Sequence, residues 1–94
     1  MGLRVDQALH WLCLAGSRSL AARACTEGRV RVNGQRVKPA KEIVSGDRLV
    51  WIVPGRPGRE FEILRLPERQ LSRREAPEYY RVVGEAAGEE IEER

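Results

Sequence analysis

The amino-acid sequence predicts a single α+β domain: two N-terminal helices packed on a small antiparallel sheet, with a short C-terminal helix and an acidic tail. Three observations predict it. Apolar residues recur with helical spacing between residues 4 and 25, and from residue 29 they alternate with polar ones as in half-buried strands. Turn signals such as Asn33-Gly34 and Ser45-Gly46-Asp47 punctuate the alternating part. The length of 94 residues fits one domain.

Each element has its own local warrant. Over residues 4–14, Val5, Ala8, Leu9 and Leu12 follow the i, i+3, i+4, i+7 spacing of one buried stripe. On the same projection Arg4, Gln7 and Trp11 share another side, and Ala15-Gly16 breaks the pattern. Ser17 reads as the N-cap of a second helix, whose stripe is Leu20, Ala21, Ala24 and Cys25. Gly28 stands where a helix end favours a left-handed residue. Arg29-Val30-Arg31-Val32 alternates as a strand, Asn33-Gly34 is a hairpin turn, and Gln35 to Lys38 is the return strand before Pro39. Arg48 to Val53 is an apolar strand with Trp51 in the core. Beyond the Pro54–Gly58 loop, residues 59–66 alternate and pair with it as a second hairpin. Residues 67–75 are polar and irregular. Pro77 opens a short helix through Val83 that Gly84 ends, with Tyr79 and Tyr80 packing it onto the sheet. The Glu-rich residues 85–94 read as a disordered tail.

Charge points to a partner. The chain carries 17 Lys and Arg against 14 Asp and Glu, a net +3, but the cations concentrate in residues 1–59 and the acids in residues 60–94. A basic body with an acidic tail suits a polyanion such as nucleic acid. Nearly all the cations are Arg, whose planar fork grips phosphate with two hydrogen bonds and stacks on bases. Enzyme chemistry finds little support. His10 is the only histidine, Cys13 and Cys25 lack metal-ligand spacing, and no phosphate-binding glycine loop is present. No enzyme activity, metal or cofactor is therefore expected. The two cysteines read as buried, reduced thiols of a cytoplasmic protein. No apolar run reaches the ~20 residues of a membrane span, and the N-terminus carries no secretion signal.

Four segments carry a resemblance to a known family. Arg4-Val5-Asp6, Ser17-Arg18-Ser19-Leu20-Ala21, Gly28-Arg29-Val30-Arg31-Val32-Asn33-Gly34 and Ser45-Gly46-Asp47 resemble, in order and spacing, the S4 RNA-binding domain, with its αL motif, over residues 3–53. Gln35-Arg36-Val37-Lys38-Pro39 is similar to the stretch after the turn in the small bacterial fifteen-kilodalton heat-shock protein. Glu75-Ala76-Pro77-Glu78-Tyr79-Tyr80-Arg81-Val82-Val83 is similar to the C-terminal helix of its relative RqcP. Gln7 stands where relatives usually carry Lys, Gly16 where a basic residue often precedes the Ser-Arg pair, and Cys13 where RqcP has Arg, so the first helix is less basic than theirs.

The resemblance implies residues 1–66 as an S4 RNA-binding domain, 67–84 as a C-terminal extension and 85–94 as the tail. It implies binding to large-subunit ribosomal RNA and tRNA or peptidyl-tRNA, in stalled-ribosome quality control or recycling, with ribosome-rescue factors as partners; a monomer is expected. Arg18, at the start of the second helix, is the first candidate RNA contact, and Arg4, the opening Arg of the pattern, is the second. Arg23, Arg29, Arg31, Lys38 and Lys41 follow as phosphate contacts. Two other readings stay open: a general structured-RNA or tRNA binder, and a protein adaptor working through the acidic tail.

Overall fold

A computed structural model describes residues 2–52, 55 and 58–85. The chain begins with strand β1 (Leu3–Arg4) and helix α1 (Val5–Trp11), followed by helix α2 (Arg18–Thr26). Strands β2 (Val30–Val32), β3 (Gln35–Arg36), β4 (Glu42–Ile43), β5 (Arg48–Trp51) and β6 (Arg59–Ile63) come next. A single 3-10 turn (Ala76–Glu78) leads into strand β7 (Tyr80–Glu85). The two helices therefore sit with antiparallel sheets, as the sequence predicts. Five strands pair in the order β3-β2-β5-β6-β7, and β1 pairs with β4 as a separate ribbon.

The helix stripes seal the core. Val5, Ala8, Leu9 and Leu12 of the first, and Ala21, Ala24 and Cys25 of the second, are buried against Val30, Val32, Ile43, Leu49 and Ile63. Leu20 departs from the expectation: it lies at the edge of its stripe and is 52% exposed. Trp51 is half-buried at the rim of the core, where the sequence places it inside. Cys25 is buried and Cys13 only partly so; both are free thiols.

Three boundaries move for physical reasons. Arg4 belongs to β1, paired opposite Glu42, so the helical side it would share with Gln7 and Trp11 does not form. Helix α1 stops at Trp11 because Cys13 takes a left-handed conformation (φ 62°) and turns the chain. At the other end, the helix expected to run from Pro77 to Val83 is only the 3-10 turn. Tyr80-Arg81-Val82-Val83 instead extends along β6, where its aromatic and β-branched residues suit a pleated surface better than a helix. Tyr80 packs edge-to-face on Phe61 at 5.2 Å, so the sheet does receive this tyrosine, from a strand.

The irregular segment 67–75 is more than a connector. Leu71 and Ala76 enter the core, and the Leu71 N–H donates to the Trp11 carbonyl at 3.0 Å. Of the expected tail 85–94, Glu85 instead closes β7 opposite Arg59, and residues 86–94 lie outside the described residues, as do Val53 and most of the Pro54–Gly58 loop.

The turns hold as predicted. Asn33 and Gly34 both have positive φ (51° and 87°), the geometry a two-residue hairpin of this twist requires. Asn33 also does more than turn the chain. Its amide donates to Asp47 Oδ1 at 3.1 Å and its Oδ1 accepts from the Arg48 N–H at 3.0 Å, while Asp47 Oδ2 accepts from the Val44 N–H at 2.9 Å. The hairpin tip and the Ser45-Gly46-Asp47 turn are thus tied together.

Candidate nucleic-acid interface

Asp6 organises the polar surface at the start of α1. It is 2% exposed, and it is the only charged residue among the described residues that is fully enclosed. A carboxylate removed from water is expensive unless cations and hydrogen bonds replace the solvent. Arg4 supplies two bonds, from Nε to Oδ1 at 3.1 Å and from Nη2 to Oδ2 at 3.0 Å. Arg18, twelve residues beyond Asp6 and at the first position of α2, brings its Nε to 3.5 Å from the same Oδ2.

The local sequence explains the convergence. The extended backbone of Arg4 (φ −58°, ψ 140°) places it at the mouth of α1, and Ser17 fixes the start of α2 by accepting the Leu20 N–H at 3.1 Å. One enclosed anion therefore anchors two cations whose side chains remain 44% and 45% exposed. A guanidinium carries five N–H donors. Those not taken by Asp6 remain available to an external anion, held in a planar fork that suits phosphate. Burial, and then the nearby Asp6 charge, push the Cys25 thiol up to about 11, so the residue under the cluster stays neutral.

Lys38 and Lys41 border this cluster. Their loop is stitched to the start of α1: the Val5 N–H donates to the Lys41 carbonyl at 2.7 Å and the Asp6 N–H to the Pro39 carbonyl at 3.4 Å. Both lysines are exposed and line a cleft of about 630 Å³ with Asn33, Gln35 and Val37. The cluster and this cleft together form a basic surface built from β1, the two helix starts and the loop after β3.

The other candidates lie elsewhere. Arg23 and Arg29 both grip Glu27 near the end of α2, at 3.2 Å and 2.7 Å, and these two hydrogen bonds, Arg29's the stronger, lower the Glu27 carboxyl. Arg31 sits on β2 facing away from the core, between its buried neighbours Val30 and Val32. Sequence reasoning did not anticipate Asp6 as the organiser of the cluster, although a carboxylate two residues after Arg4 and next to the apolar stripe was the available signal. It also passed over Arg36, the cross-strand partner of Arg31.

His10 borders a cleft of about 460 Å³ with Cys13, Gln70, Arg73 and Tyr80, but the Cys13 thiol donates to the Leu71 carbonyl at 3.2 Å rather than to the imidazole. Among the described residues no three His, Cys, Asp or Glu side chains gather as a metal-binding group, and no helix is long and apolar enough to cross a membrane.

Comparison with known proteins fits this geometry. The family model of the S4 domain matches residues 3–49, the stretch that contains the Asp6 cluster, the α2 cap and the locked hairpin. Among solved structures, the trimeric Heat Shock Protein 15 of Vibrio cholerae superposes with a TM-score of 0.80 at 28% identity, covering 100% of this chain and 90% of that one. The solution structure of the hypothetical protein HP1423 gives a TM-score of 0.75 at 27% identity, over 89% of this chain and 100% of the other. A comparison with curated proteins gives no significant match.

Proposed function

This chain belongs to the S4 domain family and so binds RNA, and from that premise we propose that it is a non-enzymatic cytoplasmic protein acting on the large ribosomal subunit. Its ligands there are ribosomal RNA and tRNA, and its setting is the quality control or recycling of stalled ribosomes with peptidyl-tRNA and rescue factors. The observation that carries the reading is the Arg4–Asp6–Arg18 cluster. It offers two pre-ordered guanidinium forks on a surface that Lys38 and Lys41 extend. Double-helical RNA is recognised through its shape, phosphates and 2′-hydroxyls, so such a surface needs no base code. The sequence resemblance to the fifteen-kilodalton heat-shock protein, with structural similarity to Heat Shock Protein 15 over the whole length, supports the ribosomal setting. We propose a single copy as the binding unit, a reading that the cluster's carboxylate and both arginines, all on one chain, support.

Co-sedimentation with purified ribosomal subunits, with and without peptidyl-tRNA, tests this. Wild type is expected with the large subunit, more strongly when peptidyl-tRNA is present, and Arg18→Ala is expected to lose most of that binding. Failure to sediment with any subunit would remove the ribosomal assignment.

A further inference from the structure

The outer face of the five-stranded sheet carries charge beyond the Arg4–Asp6–Arg18 cluster, and Arg36 joins it to the cleft of Lys38 and Lys41. Across β3, β2, β5 and β6, the residues Arg36, Arg31, Val50 and Glu60 stand in register, and the next row holds Arg48, Glu62 and Arg81. Toward β6 and β7 the cations face carboxylates: Arg48 lies 3.9 Å from Glu60, and Arg81 pairs with Glu62.

Toward β2 and β3 that pattern stops. Arg31 and Arg36 are direct cross-strand partners, and neither has a carboxylate within ion-pair distance among the described residues. Like charges so placed destabilise a sheet. The Arg31 Nε is also sealed from solvent, with no hydrogen-bond partner among the described residues. A buried donor left without a partner calls for an explanation. The Arg36 guanidinium carbon lies only 3.1 Å from where a Cβ on Gly28 would stand, so it rests on the backbone just past the end of α2. Arg23 and Arg29 flank this point and share Glu27. Four arginines here answer to one carboxylate. Guarding an edge strand against pairing accounts for a charge at Arg36. It does not account for Arg31, whose strand is paired on both sides.

We infer that Arg31 and Arg36 form a second surface for an RNA phosphate backbone, separate from the Arg4–Asp6–Arg18 cluster. The inference rests on the RNA-binding reading above. Arg18 opens α2 and Gly28, on which Arg36 rests, follows its end, so at 1.5 Å per residue the pair lies about 15 Å along the helix from the Arg18 cluster, while Arg36 also borders the cleft of Lys38 and Lys41. A phosphate between Arg31 and Arg36 supplies the negative charge their pairing lacks, and the terminal Nη groups of both can donate to it. The backbone belongs either to the RNA held at the first surface or to a second RNA molecule.

The test is equilibrium binding of a structured RNA across a salt series, for wild type, Arg31→Gln/Arg36→Gln and Arg4→Gln/Arg18→Gln. The outer-face variant is expected to bind about tenfold more weakly at moderate salt. Its slope of log affinity against log salt should be shallower by about 1–2, the loss of one or two phosphate contacts. Its melting temperature should hold or rise, because a like-charge pair is relieved. Wild-type affinity and slope in this variant, alongside weakened binding in Arg4→Gln/Arg18→Gln, would overturn the inference and leave the first surface intact. Wild type that binds no RNA at all would overturn both. A capture assay separates the two sources. If immobilised RNA with bound protein retains a second, labelled RNA, and the outer-face variant does not, the backbone is that of another molecule. If nothing is retained while the slope still falls, one RNA reaches both faces.

Discussion

Replacing Asp6 with Asn separates positioning from bulk charge, because the two make opposite predictions. The substitution keeps the volume of the side chain and raises the net charge from +3 by one unit. If affinity for RNA followed total charge, the variant would bind better. The structure says otherwise. Asp6 accepts two hydrogen bonds from Arg4 and an ion pair from Arg18, and an Asn in its place can accept at one oxygen only and turns an N–H₂ toward the guanidinium groups. A hydrogen bond to a charged group contributes about 1.5–3 kcal/mol. Both arginines are nearly half exposed, which weakens each term, so the expected loss of stability is about 1–2 kcal/mol. For a domain of this size that lowers Tm by roughly 4–16 °C. Binding should weaken by about tenfold, or 1.4 kcal/mol, since each freed arginine regains up to ~2 kcal/mol of rotamer entropy that RNA must then remove. Fluorescence anisotropy with a labelled RNA hairpin at fixed salt, well below the variant's Tm, reads this directly. A folded Asp6→Asn protein that binds as tightly as wild type, or more tightly, would refute the positioning role. A double-mutant cycle with Arg4→Gln and Arg18→Gln should also show strong non-additivity.

Two further outcomes concern the stability of the fold. Asp47→Ala removes the Asn33 and Val44 bonds that tie the hairpin tip to the neighbouring turn, and thermal melting should show a loss of about 1 kcal/mol; an unchanged Tm would mean the tie is idle. Alkaline pH should also destabilise the fold. Cys25 titrates at about 11 in the folded protein against 9.0 ordinarily, and burial raises Tyr80 as well. The fold therefore holds these protons more tightly than the unfolded chain does, so stability is intact below about pH 9 and declines as pH climbs toward 11. Denaturant midpoints measured across that window should fall, and Cys25→Ala should flatten the decline.

Local rules made most of the fold legible. The α1 stripe, the Ser17 cap, the Asn33-Gly34 hairpin and the pairing of β5 with β6 each follow from a short run of residues, and each is present. What escaped was decided at long range. Nothing near Tyr80 says that the open edge of β6 waits for it, and nothing near Leu71 says that it fills the core beside α1. The same division holds at the interface. Arg4 and Arg18 are visible as motif residues, but their common anchor is not, because Asp6 meets Arg18 only after two helices have packed. Arg23 and Arg29 look like free cations in the sequence and turn out to share a carboxylate.

The contacts made by residues 70 and 71 bear on how this protein can be divided. Gln70 donates to the His10 carbonyl, Leu71 donates to that of Trp11, and the Cys13 thiol reaches back to Leu71. The left-handed turn after α1 is thus gripped from outside the stretch that matches the family model. That half of the chain is no portable cassette. Transplanted alone into another protein, residues 3–49 would cut β5 after Leu49, omit β6 and strip Leu71 and Ala76 from the apolar interior, so a chimera must carry the chain through β7 to inherit the same arginine geometry.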